Sequence, residues 1–123
     1  MIRIDEPQSV YVKQALDTGC DCLVIPQINS AKIAEAIVQA GKFLPIGSRS
    51  VGLGRAVNYG TRLTRGIKEE NARTSLIVQI EHANAVSEVD KIAAIEGIDA
   101  LFVGPYDLSG SFGIPGEIDN PKV

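Results

Sequence analysis

Two carboxylates, Glu81 and Asp107, stand in the stretches Val78-Gln79-Ile80-Glu81 and Gly104-Pro105-Tyr106-Asp107-Leu108-Ser109. Each stretch follows directly on an apolar run, Leu76-Ile77-Val78 in one case and Leu101-Phe102-Val103 in the other. Two acids delivered by neighbouring buried strands to one rim, with backbone carbonyls and waters nearby, form an oxygen-rich site for a divalent cation. Hard oxygen donors suit Mg2+ or Mn2+, with Co2+ a further candidate, and argue against zinc. A plainer reading fits the same spacing: Glu81 as a helix-start acid and Asp107 as the cap of a turn.

Other reactive side chains point to less. A Schiff-base mechanism needs a desolvated lysine at the end of a strand. Lys13, Lys32, Lys68 and Lys91 lie in helix-like stretches, Lys42 follows a helix stop, and Lys122 is near the C-terminus. Cys20 and Cys22 are two apart at the start of a strand and face the same side, so they read as small strand residues and not as a disulfide. The single histidine, His82, follows Glu81. Period-two alternation turns it away from the face that carries Glu81, so it reads as a surface or capping residue. The glycine-rich stretch 47–55 carries Arg49 but lacks the Gly-Lys-Ser/Thr of a phosphate loop, and reads as a loop near the mouth of a site or as plain connection.

The elements that must position these residues alternate. A short strand at 2–4 is followed by Asp5-Glu6-Pro7, acids and a proline suited to a helix start, and a helix over 8–18. Gly19 supplies a left-handed stop, and 22–26 is too uniformly apolar for a half-exposed strand. Asn29 and Ser30 offer caps for a second helix over 31–40, with Ile33, Ala34, Ile37 and Val38 at helical spacing before Gly41. A long connection over 43–73 holds a short helix near 64–72. A strand over 75–81, an amphipathic helix over 83–95 stopped by Gly97, and a strand over 100–104 complete the pattern.

Alternating helices and doubly buried strands predict a parallel α/β sheet joined by right-handed crossovers. In the strand over 75–81, Gln79 and Glu81 share one face while Val78 and Ile80 share the other. A polar face at a strand's C-terminal end suits a (β/α)8 TIM barrel, whose active site is built there. Such a barrel takes about 250 residues, so residues 1–123 read as a single partial barrel domain of about four central βα units. Asp119-Asn120-Pro121 reads as the start of a further helix. A half-barrel has open edges and is expected to dimerise, aggregate or fold poorly.

Composition excludes several classes. With 45% hydrophobic residues and a net charge of −3, the chain reads as an ordinary globular domain. The 12 basic residues are scattered among 15 acids, so there is no basic stripe for nucleic acid. No apolar run approaches the roughly 20 residues that span a bilayer, and a cytoplasmic location is expected.

Together with Ile2-Arg3, Lys13-Gln14-Ala15-Leu16-Asp17-Thr18-Gly19, Leu23-Val24-Ile25-Pro26 and Gly47-Ser48-Arg49-Ser50-Val51-Gly52, the two acidic motifs resemble the paired signatures of the HpcH/HpaI aldolase family. The likeness spans nearly the whole chain. It implies a metal-dependent class II aldolase that cleaves 4-hydroxy-2-oxo acids to pyruvate and an aldehyde. By the same resemblance Glu81 and Asp107 hold the metal, Arg3 binds substrate oxygens and polarises the carbonyl, and Gln79, Gly104 and Pro105 line the pocket. Asp17 matches an acid that works with the family's acid–base histidine. That histidine lies upstream of Arg3 in the family, and this chain has no counterpart, so loss of the about 10²- to 10⁴-fold that proton transfer contributes is expected. Homo-oligomers are also typical of the family. A citrate lyase beta-subunit-like activity on acyl-CoA thioesters is a second reading, ranked lower for want of a basic cluster. A catalytically dead fragment that only binds metal or partner subunits is a third.

Overall fold

A computed structural model describes all 123 residues. Four strands, β1 (Ile2–Arg3), β2 (Cys22–Ile25), β3 (Ser75–Ile80) and β4 (Ala100–Val103), form one sheet in the order β1-β2-β3-β4. Every pair is parallel, with Leu23 beside Leu76 and Val78 beside Leu101 in register. A doubly wound sheet reverses its strand order at a switch point. This sheet does not reverse, which is the order that neighbouring strands keep around a (β/α)8 barrel.

The local signals for the first two helices hold. Helix α1 (Ser9–Asp17) is followed by Gly19 at φ +83°, the left-handed residue expected after a helix. Helix α2 (Ala31–Gly41) is capped by Ser30, whose Oγ accepts from the Ile33 amide at 3.3 Å. Val12 and Leu16 of α1 and Ala34, Ile37 and Val38 of α2 cover Leu23, Ile25, Leu76 and Val78 to form the core. Strand β2 is almost wholly buried, as its uniform apolarity predicts.

Strand β4 departs from expectation. Its apolar run predicts burial, yet Phe102 is 54% and Val103 52% exposed. Only β3 pairs with it, so its outer edge and much of its surface have nothing packed against them.

The long connection is ordered by polar contacts with its neighbours. Asn71 accepts from the Phe43 amide at 2.7 Å and donates to the Phe43 carbonyl at 2.9 Å. Lys42 is buried, and its Nζ donates to the Asn71 carbonyl at 3.2 Å and to that of Thr74. Burial pushes the Lys42 ammonium below its ordinary pKa. A 3-10 turn (Arg55–Gly60) then leads into α3 (Leu63–Arg73). The stretch 47–55 does not approach the cleft described below. Arg49 donates to Asp17 Oδ1 at 2.6 Å, and Gly52 and Gly54 pack on the same residue. Asp17 closes α1 shortly before β2 begins at Cys22, so it lies at the end of the sheet where strands begin.

The single helix expected over 83–95 is two, α4 (Ala83–Ser87) and α5 (Val89–Ala93), with a break at Glu88. Glu88 has φ −115°, and its carboxylate accepts from the Ala31 amide at 2.8 Å, satisfying an open donor at the start of α2. At the end of the described residues Asn120 Oδ1 accepts from the Lys122 amide at 3.1 Å, the bond by which an N-cap residue serves the amide two positions on.

Candidate metal and substrate site

The C-terminal ends of all four strands meet at one polar cleft of about 460 Å³. Arg3 ends β1, Gln27 and Asn29 follow β2, Glu81 and His82 follow β3, and Asp107 follows β4; all line the cleft. A larger cavity of about 610 Å³ lies between the 3-10 turn and α3. Its buried acid, Glu70, is already bonded to Arg73, and it brings no second buried acid to that cavity. The chemistry therefore belongs to the smaller cleft.

Glu81 is only 8% exposed, and both its oxygens have a donor. The Gln27 amide donates to Oε1 at 2.7 Å, and Gln79 Nε2 donates to Oε2 at 3.1 Å. Gln79 and Glu81 thus share a face as alternation requires. Gln27 sits at φ +55°, a left-handed conformation that a non-glycine residue adopts at some cost, next to the carboxylate it serves.

Gly104 is fixed by the same acid. A Cβ there would lie 3.0 Å from both Cβ and Oε2 of Glu81. Replacing Gly104 by alanine should cost about 1–3 kcal/mol by overpacking and should also weaken metal binding by displacing the carboxylate. Urea denaturation and Mn2+ titration of the same variant check both parts; unchanged values in both would show that Glu81 yields freely.

Asp107 is not a loop residue. Pro105 opens the short helix α6 (Pro105–Ser111), and Asp107 is an exposed acid in its first turn. Leu108 and Ser109 are buried. Ser109 Oγ donates to the Tyr106 carbonyl at 2.7 Å and accepts from the Gly116 amide at 2.9 Å. Ser111 Oγ accepts from the Ala83 amide at 3.0 Å, which ties α6 to the segment carrying Glu81. Proline, leucine and serines hold the turn while the aspartate stays free.

Arg3 is exposed and makes no ion pair, so its guanidinium is available to an anion in the cleft. No cluster of three or more His, Cys, Asp or Glu side chains converges anywhere in the chain. A cation here would take Glu81 and Asp107 and complete its shell from neutral oxygens. Gln79 Oε1, buried beside Glu81 without a partner, is one. That all-oxygen set fits a hard divalent ion.

Two sequence expectations fall elsewhere. Alternation predicts that His82 points away from Glu81, yet it lines the cleft, at the junction where the strand gives way to α4. It also caps α4, accepting from the Asn84 amide at Nδ1, 3.1 Å away. Asp17 lies outside the cleft, as the last residue of α1, paired with Lys13 and Arg49. Sequence reasoning missed Gln27 and Asn29; their place just after a buried strand was the available signal.

Comparison with known proteins accords with this geometry. The family model described as HpcH/HpaI aldolase/citrate lyase matches residues 1–123. The chain is 41% identical over 116 residues to a 4-hydroxy-2-oxovalerate aldolase of Novosphingobium aromaticivorans, covering 94% of this chain and 44% of that protein. It is 38% identical over 125 residues to a 2-keto-3-deoxy-L-rhamnonate aldolase of Klebsiella pneumoniae, covering 100% and 46%. A crystal structure of an HpcH/HpaI aldolase/citrate lyase family protein from Burkholderia cenocepacia superposes with a TM-score of 0.89 at 39% identity, covering 98% of this chain and 49% of that one. The chain spans about half the length of the curated relatives it matches. A match along its whole length, on a sector of parallel barrel, places this chain in the HpcH/HpaI aldolase/citrate lyase family.

Proposed function

We propose that this chain carries the metal- and oxo-acid-binding part of a divalent-metal-dependent aldolase that cleaves 4-hydroxy-2-oxo acids to pyruvate and an aldehyde. The observation that carries this reading is the meeting of Glu81, Asp107 and an unpaired Arg3 in one polar cleft. The relatives named above are aldolases of oxo acids, which supports the same substrate class.

Glu81 and Asp107 would hold Mg2+ or Mn2+, and a cation bound there supplies Lewis acidity toward a 2-oxo acid. Arg3 binds and orients the substrate's carboxylate and keto oxygens. Gln79 and the Gln27 amide keep the Glu81 carboxylate fixed, so little reorganisation accompanies binding. Gly104 packs directly on Glu81 and so acts through that acid; neither it nor Pro105 lines the cleft, where Gly110 and Ser111 do. Asp17 serves in this chain as the anchor of Arg49 and not as a group in the cleft.

Water-proton relaxation with Mn2+ tests the reading. The parent chain should bind Mn2+, and pyruvate should tighten that binding. Arg3→Ala should leave Mn2+ binding in place and remove the pyruvate effect. A folded parent chain that binds no Mn2+, or binds it without regard to pyruvate, sinks the proposal.

A further inference from the structure

Three of the chain's six arginines are held in ion pairs: Arg49 with Asp17, Arg65 with Glu69, and Arg73 with Asp21 and Glu70. Of the three that are free, Arg3 lines the cleft. The other two, Arg55 and Arg62, both line the cavity of about 610 Å³ between the 3-10 turn and α3. Gly19, which lies between the end of α1 and the start of β2, lines it too. The cavity therefore sits toward the end of the sheet where strands begin, opposite the cleft. Its two arginines stand on segments fixed against each other. A Cβ at Gly19 would lie 3.6 Å from Arg55 Cγ, and one at Gly66 of α3 would lie 3.6 Å from Val57 Cα of the turn.

The acids of the cavity do not cancel these charges, because Glu69 is taken by Arg65 and Glu70 by Arg73. Two exposed, unpaired guanidinium groups thus line one cavity in a chain whose net charge is −3. A carboxylate has two oxygens and matches a single guanidinium fork. A phosphate monoester carries a charge of about −1.5 to −2 at neutral pH and three acceptor oxygens, enough for both forks. Small-molecule sites span about 300–1,000 Å³, so inorganic phosphate alone would leave most of this cavity to water. Ala56, Val57 and Ala72 give it apolar wall for a carbon chain. We propose that the cavity is a binding site for a small phosphate monoester, gripped by Arg55 and Arg62 and separate from the oxo-acid cleft. The ester binds there without reacting.

Amide 15N–1H spectra of the chain titrated with glycerol 3-phosphate test the site. Saturable shifts should centre on Arg55, Ala56, Arg62 and Gly66, glycerol should cause none, and inorganic phosphate should bind more weakly than the ester. Arg55→Gln combined with Arg62→Gln should weaken binding at least about tenfold, as expected for lost hydrogen bonds to a charged group. Both side chains are exposed and unpaired, so the double variant should keep the parent's urea midpoint. Arg3→Ala should leave ester binding unchanged, and Mg2+ with pyruvate should not displace the ester. No saturable shift, shifts confined to the cleft, parent-like affinity in the double variant, or loss of binding in Arg3→Ala overturns the site. Equal affinity for inorganic phosphate overturns the organic ligand. Tighter binding of a polyglutamate peptide than of the ester overturns the proposal in favour of an acidic protein segment.

Discussion

Glu81→Gln should lower Mn2+ affinity more than about 100-fold, since loss of an outer-shell partner alone typically costs 10- to 100-fold. The substitution is nearly isosteric but removes the charge. Both oxygens of Glu81 take hydrogen bonds, from the backbone amide of Gln27 and from Gln79 Nε2. The new carbonyl can keep the Gln27 bond, and the new NH2 group can donate to Gln79 Oε1 once that amide turns over, so the fold is kept while the charge is lost. Stability should fall by about 1 kcal/mol, because two charge-assisted hydrogen bonds become neutral ones. Asp107→Asn provides the contrast. Asp107 is exposed and supports no neighbour, so its loss should weaken Mn2+ binding with little change in stability. Relaxation titrations and urea denaturation of the two variants separate these effects, and parent-like Mn2+ affinity in Glu81→Gln would falsify the metal assignment.

Asp17→Ala should destabilise the chain by about 3 kcal/mol, the low end for breaking a buried ion pair, since Asp17 itself is partly exposed. The Arg49 side chain is 1% exposed and its Nε has no partner. Without Asp17 it keeps the Phe43 ring, whose centroid lies 4.4 Å from the guanidinium carbon, and the more distant charge of Glu70. Removing both charges in Asp17→Ala with Arg49→Met should recover stability relative to Asp17→Ala alone. The pH dependence has a definite sign. Burial raises the Asp17 carboxyl, but hydrogen bonds from Lys13 and Arg49 outweigh it and hold the pKa below its ordinary value. A depressed acid contributes stability above its unfolded pKa of about 3.9, and that contribution is lost as pH falls through the folded value. Asp17→Ala should therefore show a flatter acid limb in urea unfolding between about pH 5 and pH 2. A loss below about 0.5 kcal/mol at neutral pH would show that Arg49 needs no counter-ion.

Much of the fold was legible where its cause is local. Gly19 stops α1 through positive φ, Ser30 caps α2 over three residues, and Gln79 and Glu81 share a face by strand geometry, whereas α5 ends at Ala93, before Gly97 is reached. The errors lie where the deciding partner is distant in sequence. Glu88 breaks a helix because the amide it serves is 57 residues away, and Asp17 pairs with Arg49 across 32. The exposure of β4 depends on what packs beside it, which its apolar sequence does not disclose. His82 lines the cleft at the junction where the strand gives way to α4, and alternation alone misplaces it. The paired acids were visible because strand ends deliver them, whereas Gln27 contributes through its backbone, and any non-proline residue carries that amide.

The bond from Gln27 to Glu81 also dictates when the cleft comes into being. It joins residues 54 apart, across a β2–β3 crossover that must close before the carboxylate is fixed. Loop closure of that length carries an entropic penalty that only the packed sheet repays, so the unfolded chain cannot preassemble the ion's seat. A cation bound at the proposed site would then favour the folded ensemble alone. By mass action, free metal concentration would act as a dial on folding equilibrium as well as on occupancy.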